Sequence, residues 1–171
     1  MESTPTTNPD ADVVLPTQRH DHDECITQAL ENAEAICQER DVRLTALRRQ
    51  VLELIWQNHK PLGAYAILEA LQHAQERRAA PPTVYRALDF LLENGLIHRL
   101  DSLNAYIGCP HPEHAHIGQF MICLSCENVM ELDTPTITKS VREHAESLGF
   151  KVQQQTIEIA GQCAQCQELQ V

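Results

Sequence analysis

The stretch from Cys109 to Glu131, CPHPEHAHIGQFMICLSCENVME, contains three cysteines and three histidines. Thiolate and imidazole groups are the ligands that zinc and other transition metals bind in proteins. Their density in one short segment therefore predicts a metal site. A metal held there could stabilise the fold alone, or its binding and release could control what the protein does.

The strongest metal-binding pattern consists of two CxxC pairs, Cys123-Leu-Ser-Cys126 and Cys163-Ala-Gln-Cys166. Four thiolates can surround one zinc ion tetrahedrally, which leaves no open position for a reacting molecule. The pattern therefore predicts a structural zinc site. A single CxxC pair can also belong to a thioredoxin-like redox site, but two pairs without a βαβ pattern disfavour that alternative.

Several donor side chains remain outside the two CxxC pairs. They are Cys109, His111, His114, His116, the acidic residues near Glu131, and His98 in the preceding segment. Zinc accepts imidazole, thiolate and carboxylate ligands together, so these residues are candidates for a second zinc site. The alternative is that the histidines are surface residues, which suits the proline-containing loop around His111 and His114.

No catalytic motif accompanies these ligands. The order His111-Pro112-Glu113 before a CxxC pair resembles the zinc deaminase pattern. Ile122 rather than proline precedes Cys123, however, and the gap is too short for the strand-helix geometry of a deaminase. An HExxH motif and a glycine-rich phosphate loop are also absent from the sequence. We therefore predict that the protein is not an enzyme and has no small-molecule substrate.

The composition is that of one large domain or two small ones, with 171 residues of which 43% are hydrophobic. No apolar run approaches the length of a membrane span. The first residues have neither the basic region nor the apolar core of a signal peptide, so we expect a cytoplasmic protein without membrane association. Thiols stay reduced in that compartment, so the seven cysteines are expected to bind metal rather than form disulfides.

The net charge of −11 is unevenly distributed along the chain. Residues 1–36 carry a net −7, residues 37–100 a net +2, and residues 101–171 a net −6. Only the middle segment can present a basic face to nucleic acid. The acidic remainder would weaken indiscriminate phosphate binding and leave more of the recognition to base contacts.

The N-terminal segment 1–24 is rich in Thr, Pro and Asp and has no hydrophobic periodicity. We expect it to form a disordered acidic tail. His20, His22 and Cys25 could bind metal weakly there. A solvated tail is the favoured interpretation, because nothing in the segment fixes the geometry of these side chains.

Hydrophobic residues recur at helical spacing from Ile26 onward and predict three helices, over about 26–37, 46–58 and 65–76. The residues expected on their buried faces are Ile26, Leu30, Ala33, Cys37, Val51, Leu54, Ile55, Ile67, Leu68 and Leu71.

A fourth helix is predicted to begin at Pro81-Pro82-Thr83 and to end before Gly95. Its buried stripe is Val84, Leu88 and Leu91, whereas Thr83, Tyr85, Arg86 and Asp89 lie off that stripe. Alternating segments at 96–100 and 105–109 predict a β-hairpin after it. This order is typical of a winged helix-turn-helix, in which the fourth helix would enter the DNA major groove. An all-α packing module is the alternative interpretation.

The remaining residues predict a smaller unit, with strands over 117–123, 128–132 and 151–159 and a helix that Thr134 caps and Gly149 ends. Such a small sheet is marginally stable alone, so metal and dimerisation are its expected supports. The predicted fold class is α+β, with a winged helix-turn-helix DNA-binding domain (25–108) and a small α/β dimerisation domain that contains the zinc site of four cysteines (109–171).

Three segments resemble the Fur family of metal-dependent repressors. They are Val42-Arg43-Leu44-Thr45, Pro82-Thr83-Val84-Tyr85-Arg86-Ala87-Leu88, and the paired CxxC motifs. The resemblance extends from about Ile26 to Cys166 and is strongest to the zinc-sensing branch. It implies a homodimer with an N-terminal winged-helix domain and a C-terminal dimerisation domain. The chain departs from the family pattern Leu-Thr-x-Gln-Arg, which here reads Leu44-Thr45-Ala46-Leu47-Arg48.

The resemblance also implies roles for individual residues. A structural zinc would bind Cys123, Cys126, Cys163 and Cys166, and a regulatory zinc would bind His98, Cys109, His116 and Glu131, with His114 as an alternative to His116. DNA contacts would come from Tyr65, Tyr85 and Arg86, and from Arg48. Thr83 is a further candidate, because it lies off the buried stripe of the fourth helix. A thiolate in the regulatory set agrees with zinc rather than Fe(II).

The predicted function is a zinc-responsive transcriptional repressor with two Zn²⁺ per chain. It would bind double-stranded operator DNA as a homodimer and control genes of zinc uptake or homeostasis. One alternative is a Fur-family regulator that responds to another divalent metal, and another is a zinc-ribbon adaptor that binds protein. A zinc hydrolase or deaminase would need an open coordination position and a general base.

Overall fold

The computed structural model describes residues 12–13, 22–57, 60–74, 80–114 and 116–169. Four helices and a three-stranded sheet form an N-terminal unit, the name used here for residues 22–108. Three strands of a four-stranded sheet and two further helices form most of a C-terminal unit, residues 109–169, and the fourth strand comes from residues 12–13. This mixed α and β architecture agrees with the predicted fold class.

The helices of the N-terminal unit are α1 (His22–Glu39), α2 (Ala46–Trp56), α3 (Ala64–Ala74) and α4 (Pro81–Glu93). They share one core, which includes Leu30, Ala33, Cys37, Val51, Ile55, Ile67, Leu71, Val84, Leu88 and Leu91. Helical spacing in the sequence predicted each of these core positions. None of the described helices is long and apolar enough to cross a membrane.

Local sequence signals set the ends of α2 and α4. The Thr45 side chain accepts a hydrogen bond from the backbone N–H of Arg48 and so caps α2. Pro81 begins α4, where its missing N–H costs no helical hydrogen bond. Gly95 follows the C-cap of α4 with a φ of +67°, a conformation that glycine adopts without strain.

A β-hairpin of β3 (Ile97–Leu100) and β4 (Ala105–Gly108) follows α4, as the sequence predicted. The two-residue strand β2 (Leu62–Gly63) pairs with the other edge of β4, which the sequence did not predict. The hairpin packs against the C-terminal unit through an apolar cluster of Leu100, Phe120, Ile122 and Val129, with Ile107 against it. The two units therefore meet along the hairpin.

The C-terminal unit contains β5 (Gln119–Cys123), β6 (Val129–Asp133), α5 (Pro135–Ser147), β7 (Ile157–Gly161) and α6 (Ala164–Glu168). β5 pairs antiparallel with β6 and parallel with β7, so the chain crosses over through α5. The strand expected over 151–159 begins only at Ile157, because its partner β5 is five residues long.

The segment expected to be a disordered tail contains a short strand, β1 (Asp12–Val13), which pairs with the outer edge of β6. Helix α1 also begins at His22, earlier than the hydrophobic pattern indicated. Cys25 is half-buried on this helix. The other residues of 1–21, including His20, and the side chain of His22 lie outside the described part of the chain.

Candidate metal centres and DNA-facing surface

Four donor side chains converge where the hairpin meets the C-terminal sheet. His98 lies on β3, Cys109 directly follows β4, His116 precedes β5, and Glu131 lies on β6. We call these four residues the mixed-donor site. Their ligand atoms all lie within 4.8 Å of one another. The side chains of His98, His116 and Glu131 are 16%, 8% and 9% exposed, and Cys109 is 2% exposed.

The spacing of these donors fits a tetrahedral zinc ion. His116 Nε2 lies 3.6 Å from Cys109 Sγ, 3.2 Å from His98 Nε2 and 2.9 Å from Glu131 Oε1. Zinc bonds of about 2.0 Å to nitrogen and 2.3 Å to sulfur would place ligand atoms roughly 3.3–3.8 Å apart. The separations of His116 Nε2 from Cys109 Sγ and His98 Nε2 are close to this spacing. The shorter separation, from Glu131 Oε1, is that of a hydrogen bond.

The charges of the mixed-donor site also fit a divalent cation. Glu131 Oε2 is buried and has no hydrogen-bond partner among the described residues. Burying a carboxylate oxygen without a partner costs free energy unless a cation or donor compensates it. An ionised Cys109 and an ionised Glu131 would together neutralise one Zn²⁺, with two neutral imidazoles completing the four ligands.

Hydrogen bonds within the mixed-donor site shift the pKa of each donor. Bonds to Cys109 and Glu131 outweigh the effect of burial and raise the pKa of His116 to about 11. Burial opposes protonation of His98, but bonds to the same two partners outweigh it and raise its pKa to about 9. Burial favours neutral Cys109 and Glu131, yet the two imidazoles lower the pKa of both. The site thus stabilises a thiolate and a carboxylate beside cations.

The structure brings His116 into the mixed-donor site rather than its two histidine neighbours. His116 Nδ1 lies 3.0 Å from the carbonyl oxygen of His114, an arrangement that directs Nε2 toward the other donors. The ring of His114 instead contacts Glu113 and Asp133, at 3.3 and 3.4 Å. His111 also contacts Glu113, at 3.4 Å.

Two glycines beside the donors allow close packing that the sequence did not predict. A Cβ added at Gly108, next to Cys109, would overlap the indole ring of Trp56. A Cβ added at Gly118 would lie 2.5 Å from Cε2 of Phe120 and 3.5 Å from Nδ1 of His98. A glycine one or two residues from a metal donor could have indicated this close packing in the sequence, because only glycine lets a neighbouring side chain approach the backbone so closely.

The four cysteines of the CxxC pairs form a second cluster, which we call the four-cysteine site. Cys123 ends β5, Cys126 follows in the next turn, Cys163 occupies the N-cap position of α6, and Cys166 lies on α6. The sulfur atoms of Cys126 and Cys163 are 3.8 Å apart, which matches the roughly 3.8 Å expected between two thiolates on one tetrahedral zinc. The set therefore fits a closed zinc site.

The thiols of the four-cysteine site differ in how readily they ionise. Backbone N–H groups, first that of Cys163 at 3.3 Å from the sulfur, lower the pKa of Cys123 to about 6. Hydrogen bonding to Cys163 and burial raise the pKa of Cys166 to about 12. Negative charge thus accumulates unfavourably as successive thiols ionise, and a bound cation would offset it.

The N-terminal half of α4 exposes the side chains that the sequence placed off the buried stripe. Thr83, Tyr85 and Arg86 are exposed, whereas Val84 and Leu88 are buried. This half of the helix therefore offers hydroxyl, phenol and guanidinium groups to a partner.

Two other residues predicted to contact DNA lie on different helices. Tyr65, near the start of α3, is 80% exposed. The guanidinium of Arg48 lies over the ring of Phe90, 3.5 Å from its centroid, and donates a hydrogen bond to the carbonyl oxygen of Arg43. The Arg48 side chain is therefore engaged within the protein.

Comparison with known proteins identifies the family of the chain. The ferric uptake regulator family matches residues 39–160. The chain belongs to this family. A zinc uptake regulation protein of Escherichia coli K12 is 39% identical over 144 residues, which cover 84% of each protein.

Solved structures of this family superpose on the chain to different extents. A zinc uptake regulator complexed with zinc and DNA gives a TM-score of 0.80 at 38% identity, covering 85% of this chain and 97% of that one. The holo form of XcZur gives 0.76 at 42% identity, covering 82% and 98%. The apo form of XcZur gives only 0.50 at 38% identity, with 84% and 99% covered.

Proposed function

We propose that this ferric uptake regulator family member is a zinc-responsive transcriptional repressor that binds operator DNA as a homodimer in the cytoplasm. Residues 25–108 would form its DNA-binding domain and residues 109–171 its dimerisation and metal-binding domain, with two Zn²⁺ per chain. The observation that carries the proposal is the mixed-donor site, because its ligands come from both units. Similarity to zinc uptake regulators supports zinc uptake or homeostasis genes as the targets.

Zinc in the mixed-donor site would supply a positive charge that holds four Lewis-basic side chains together. His98 belongs to the hairpin of the N-terminal unit, whereas His116 and Glu131 belong to the C-terminal unit. Cys109 lies between the units. Joint ligation therefore selects one relative pose of the two units, and a metal that binds one pose preferentially shifts the population toward it.

The comparison with XcZur supports this role for the pose. The chain superposes much better on holo XcZur than on apo XcZur, with TM-scores of 0.76 and 0.50, although the sequence relationship is nearly the same. The difference must then come from the arrangement of that protein rather than from its sequence. The pose in which the four donors of this chain meet is thus the one that resembles a metal-loaded relative.

The four-cysteine site would hold the structural zinc. Its ligands close the turn after β5 against α6, beyond the ends of β5 and β7 in a sheet of only four strands. Structural zinc contributes directly to folding free energy in such small units. Four protein ligands also complete the tetrahedron in each site, which supports a regulator rather than a zinc hydrolase.

Helix α4 would enter the major groove. Arg86 can form a bidentate pair with guanine, and Tyr85 can contact a thymine methyl group or a phosphate. Thr83 at the start of the helix and Tyr65 on α3 would contact the backbone. Arg48 would contribute to DNA binding only if its guanidinium left the Phe90 ring.

An uncovered apolar face on α5 supports the homodimer. None of the residues of α5 is buried in the single chain. Val141 on this helix and Leu148 and Phe150 after it are 43%, 84% and 65% exposed. Apolar side chains that stay exposed on and directly after one helix are expected at a protein interface, and a second copy would cover them.

Zinc titration of operator binding tests the proposed function. The wild type should bind a specific operator selected from random DNA only when zinc fills the mixed-donor site. The Cys109→Ser variant should remain a folded dimer that retains one zinc per chain, but its DNA binding should no longer depend on zinc. Wild-type zinc dependence in this variant would exclude the mixed-donor site as the regulatory site. Stronger activation by another divalent metal would identify that metal as the effector.

The Cys163→Ser variant provides the matched comparison for the other site. It should lose the tighter zinc and be impaired in folding or dimerisation, because the remaining thiolates cannot close the tetrahedron. Metal analysis and sedimentation of the two variants distinguish a regulatory site from a structural one. A stable, dimeric and DNA-binding Cys163→Ser protein would remove the structural role of the four-cysteine site.

A further inference from the structure

The hairpin contacts the C-terminal sheet at three successive places. His98 joins the mixed-donor site, Leu100 packs beside Phe120, and the turn after Leu100 contacts Glu158 on β7. Strands β5 and β7 run parallel with Phe120 opposite Glu158, so both side chains lie on the sheet face that the hairpin covers. The third contact involves neither donor set.

Glu158 binds the turn through both carboxylate oxygens. Its Oε1 accepts a hydrogen bond from the backbone N–H of Asp101 at 2.7 Å. Its Oε2 accepts one from the backbone N–H of Ser102 at 3.1 Å and another from the Ser102 hydroxyl. Burial opposes ionisation of Glu158, but these bonds outweigh it and lower its pKa. The carboxylate is therefore ionised near neutral pH, where hydrogen bonds to it are strongest.

The hairpin of β3 and β4 connects this contact to the mixed-donor site. Asp101 follows His98 by three positions, roughly 10 Å along an extended strand. The ladder between β3 and β4 holds this segment as one hairpin. If His98 moves away from Glu131 with the hairpin, the turn must also leave Glu158. The two contacts therefore form and break together.

We propose that Glu158 is a positioning residue that sets the zinc concentration at which the mixed-donor site closes. This inference rests on the proposed zinc-responsive function. The Glu158 contact stabilises the pose in which the hairpin lies on the C-terminal sheet, yet Glu158 contacts neither zinc donors nor the exposed half of α4. An interaction made only in the closed pose lowers the zinc concentration needed to populate that pose.

Zinc titrations of operator binding test whether Glu158 affects the zinc concentration at which the mixed-donor site closes. Glu158→Ala should raise the zinc concentration for half-maximal binding by roughly two- to fivefold, the range for a solvent-accessible charged contact. Operator affinity at saturating zinc should be unchanged. Glu158→Gln, which keeps one acceptor oxygen, should give a smaller shift. Asp101→Asn is the matched control, because it changes the same turn but keeps the backbone N–H, and it should have no effect.

A double substitution tests whether Glu158 acts through the turn. Ser102→Ala alone should give a small shift in the same direction, and it should add nothing in the Glu158→Ala background, because its partner is already gone. An unchanged zinc midpoint in Glu158→Ala, or an equal shift in Asp101→Asn, would overturn the proposal.

Amide hydrogen exchange tests the contact between Glu158 and the turn independently of DNA binding. In the wild type, the amides of Asp101 and Ser102 should exchange slowly with zinc in the mixed-donor site and faster after a chelator removes that zinc. In Glu158→Ala they should exchange fast in both states. Equal protection of the wild-type amides with and without zinc would refute the coupling. Absence of zinc-dependent operator binding in the wild type would refute the proposed function, and amide exchange would still decide the coupling between Glu158 and zinc.

Discussion

At the scale of single residues, the mixed-donor site exchanges protons for metal. The raised pKa values of His98 and His116, about 9 and about 11, mean that both imidazoles carry a second proton near pH 7. The lowered pKa values of Cys109 and Glu131 make both groups easier to ionise than a free thiol and a free carboxyl. Protonated imidazoles thus stabilise the metal-free site at neutral pH, and that stabilisation is lost as the pH rises through about 9 for His98 and through about 11 for His116.

Zinc binding should therefore release about two protons from the imidazoles at pH 7, and zinc affinity should fall by up to about a hundredfold per pH unit as the pH decreases below that value. Calorimetry in buffers of different ionisation enthalpy measures the proton release. The His98→Gln variant should release about one proton fewer. Zinc binding without net proton release would show that the histidines are neutral before the metal arrives.

The backbone beside Cys109 is a second feature at this scale. Trp56 lies directly over Gly108, so the Gly108→Ala variant must move the indole ring or the backbone. We expect a loss of about 1–3 kcal/mol in the free energy of unfolding, as for other overpacked sites, together with weaker zinc binding at the adjacent donor.

Denaturant unfolding of the zinc-saturated protein measures this effect, and Trp56 is the single tryptophan whose fluorescence would follow it. Gly161→Ala is the control, because a Cβ added at Gly161 would meet no atom within 4 Å and the φ of this glycine is not positive. Equal stability of the two variants would show that the indole ring moves aside at little cost.

At the scale of elements, the side chains of α4 that pack in the core and those that are exposed to a partner lie on different faces of the helix. Val84, Leu88 and Leu91 face the core, whereas Tyr85, Arg86 and Asp89 face outward. Because the buried stripe fixes how the helix is rotated, the exposed side chains are held in place without contributing to the core.

The Arg86→Ala variant should lose about 1–3 kcal/mol of specific operator binding, with its zinc content and dimerisation unchanged. Binding to a cognate and to a scrambled duplex of equal length measures this difference. Arg142→Ala, an exposed arginine on α5, should leave specificity unchanged. Equal loss on both duplexes would assign Arg86 to phosphate rather than base contacts.

The elements differ in how well the sequence predicted them. Helices α2 and α4 and the hairpin carry several periods of hydrophobic pattern with clear end signals, and the structure contains all three. The two-residue strands β1 and β2 carry no periodicity, so only their tertiary partners define them. Strand β7 starts late because residues 151–156 have no partner strand beside them, which no local pattern reveals.

The two donor sets differ in the same way. CxxC spacing predicted the four-cysteine cluster, because each pair lies within one turn of chain. The donors of the mixed-donor site lie on separate strands and loops, and imidazole spacing alone could not distinguish His116 from His111 and His114. Family resemblance supplied that choice. The Glu158 contact was not predicted, because 56 residues separate this carboxylate from Ser102.

At the scale of the whole molecule, one zinc ion and one DNA duplex would act on the same relative pose of the two units. The mixed-donor site lies at the junction of the units, and the exposed half of α4 lies in the N-terminal unit. The chain is strongly acidic outside residues 37–100, so general attraction to phosphates contributes little. Specific binding would then depend on how precisely the pose presents both α4 helices of a dimer.

This dependence is reciprocal. If zinc in the mixed-donor site raises operator affinity by a certain factor, operator DNA must raise zinc affinity at that site by the same factor. The measurement is a zinc titration of the wild-type dimer, with its four-cysteine site already filled, in the presence and absence of saturating operator. The ratio of the two zinc dissociation constants should equal the ratio of the operator dissociation constants measured with and without zinc. A scrambled duplex should leave zinc affinity unchanged, and Cys109→Ser should abolish both ratios. If operator DNA leaves the zinc affinity of the wild type unchanged, the mixed-donor site does not control the DNA-binding pose.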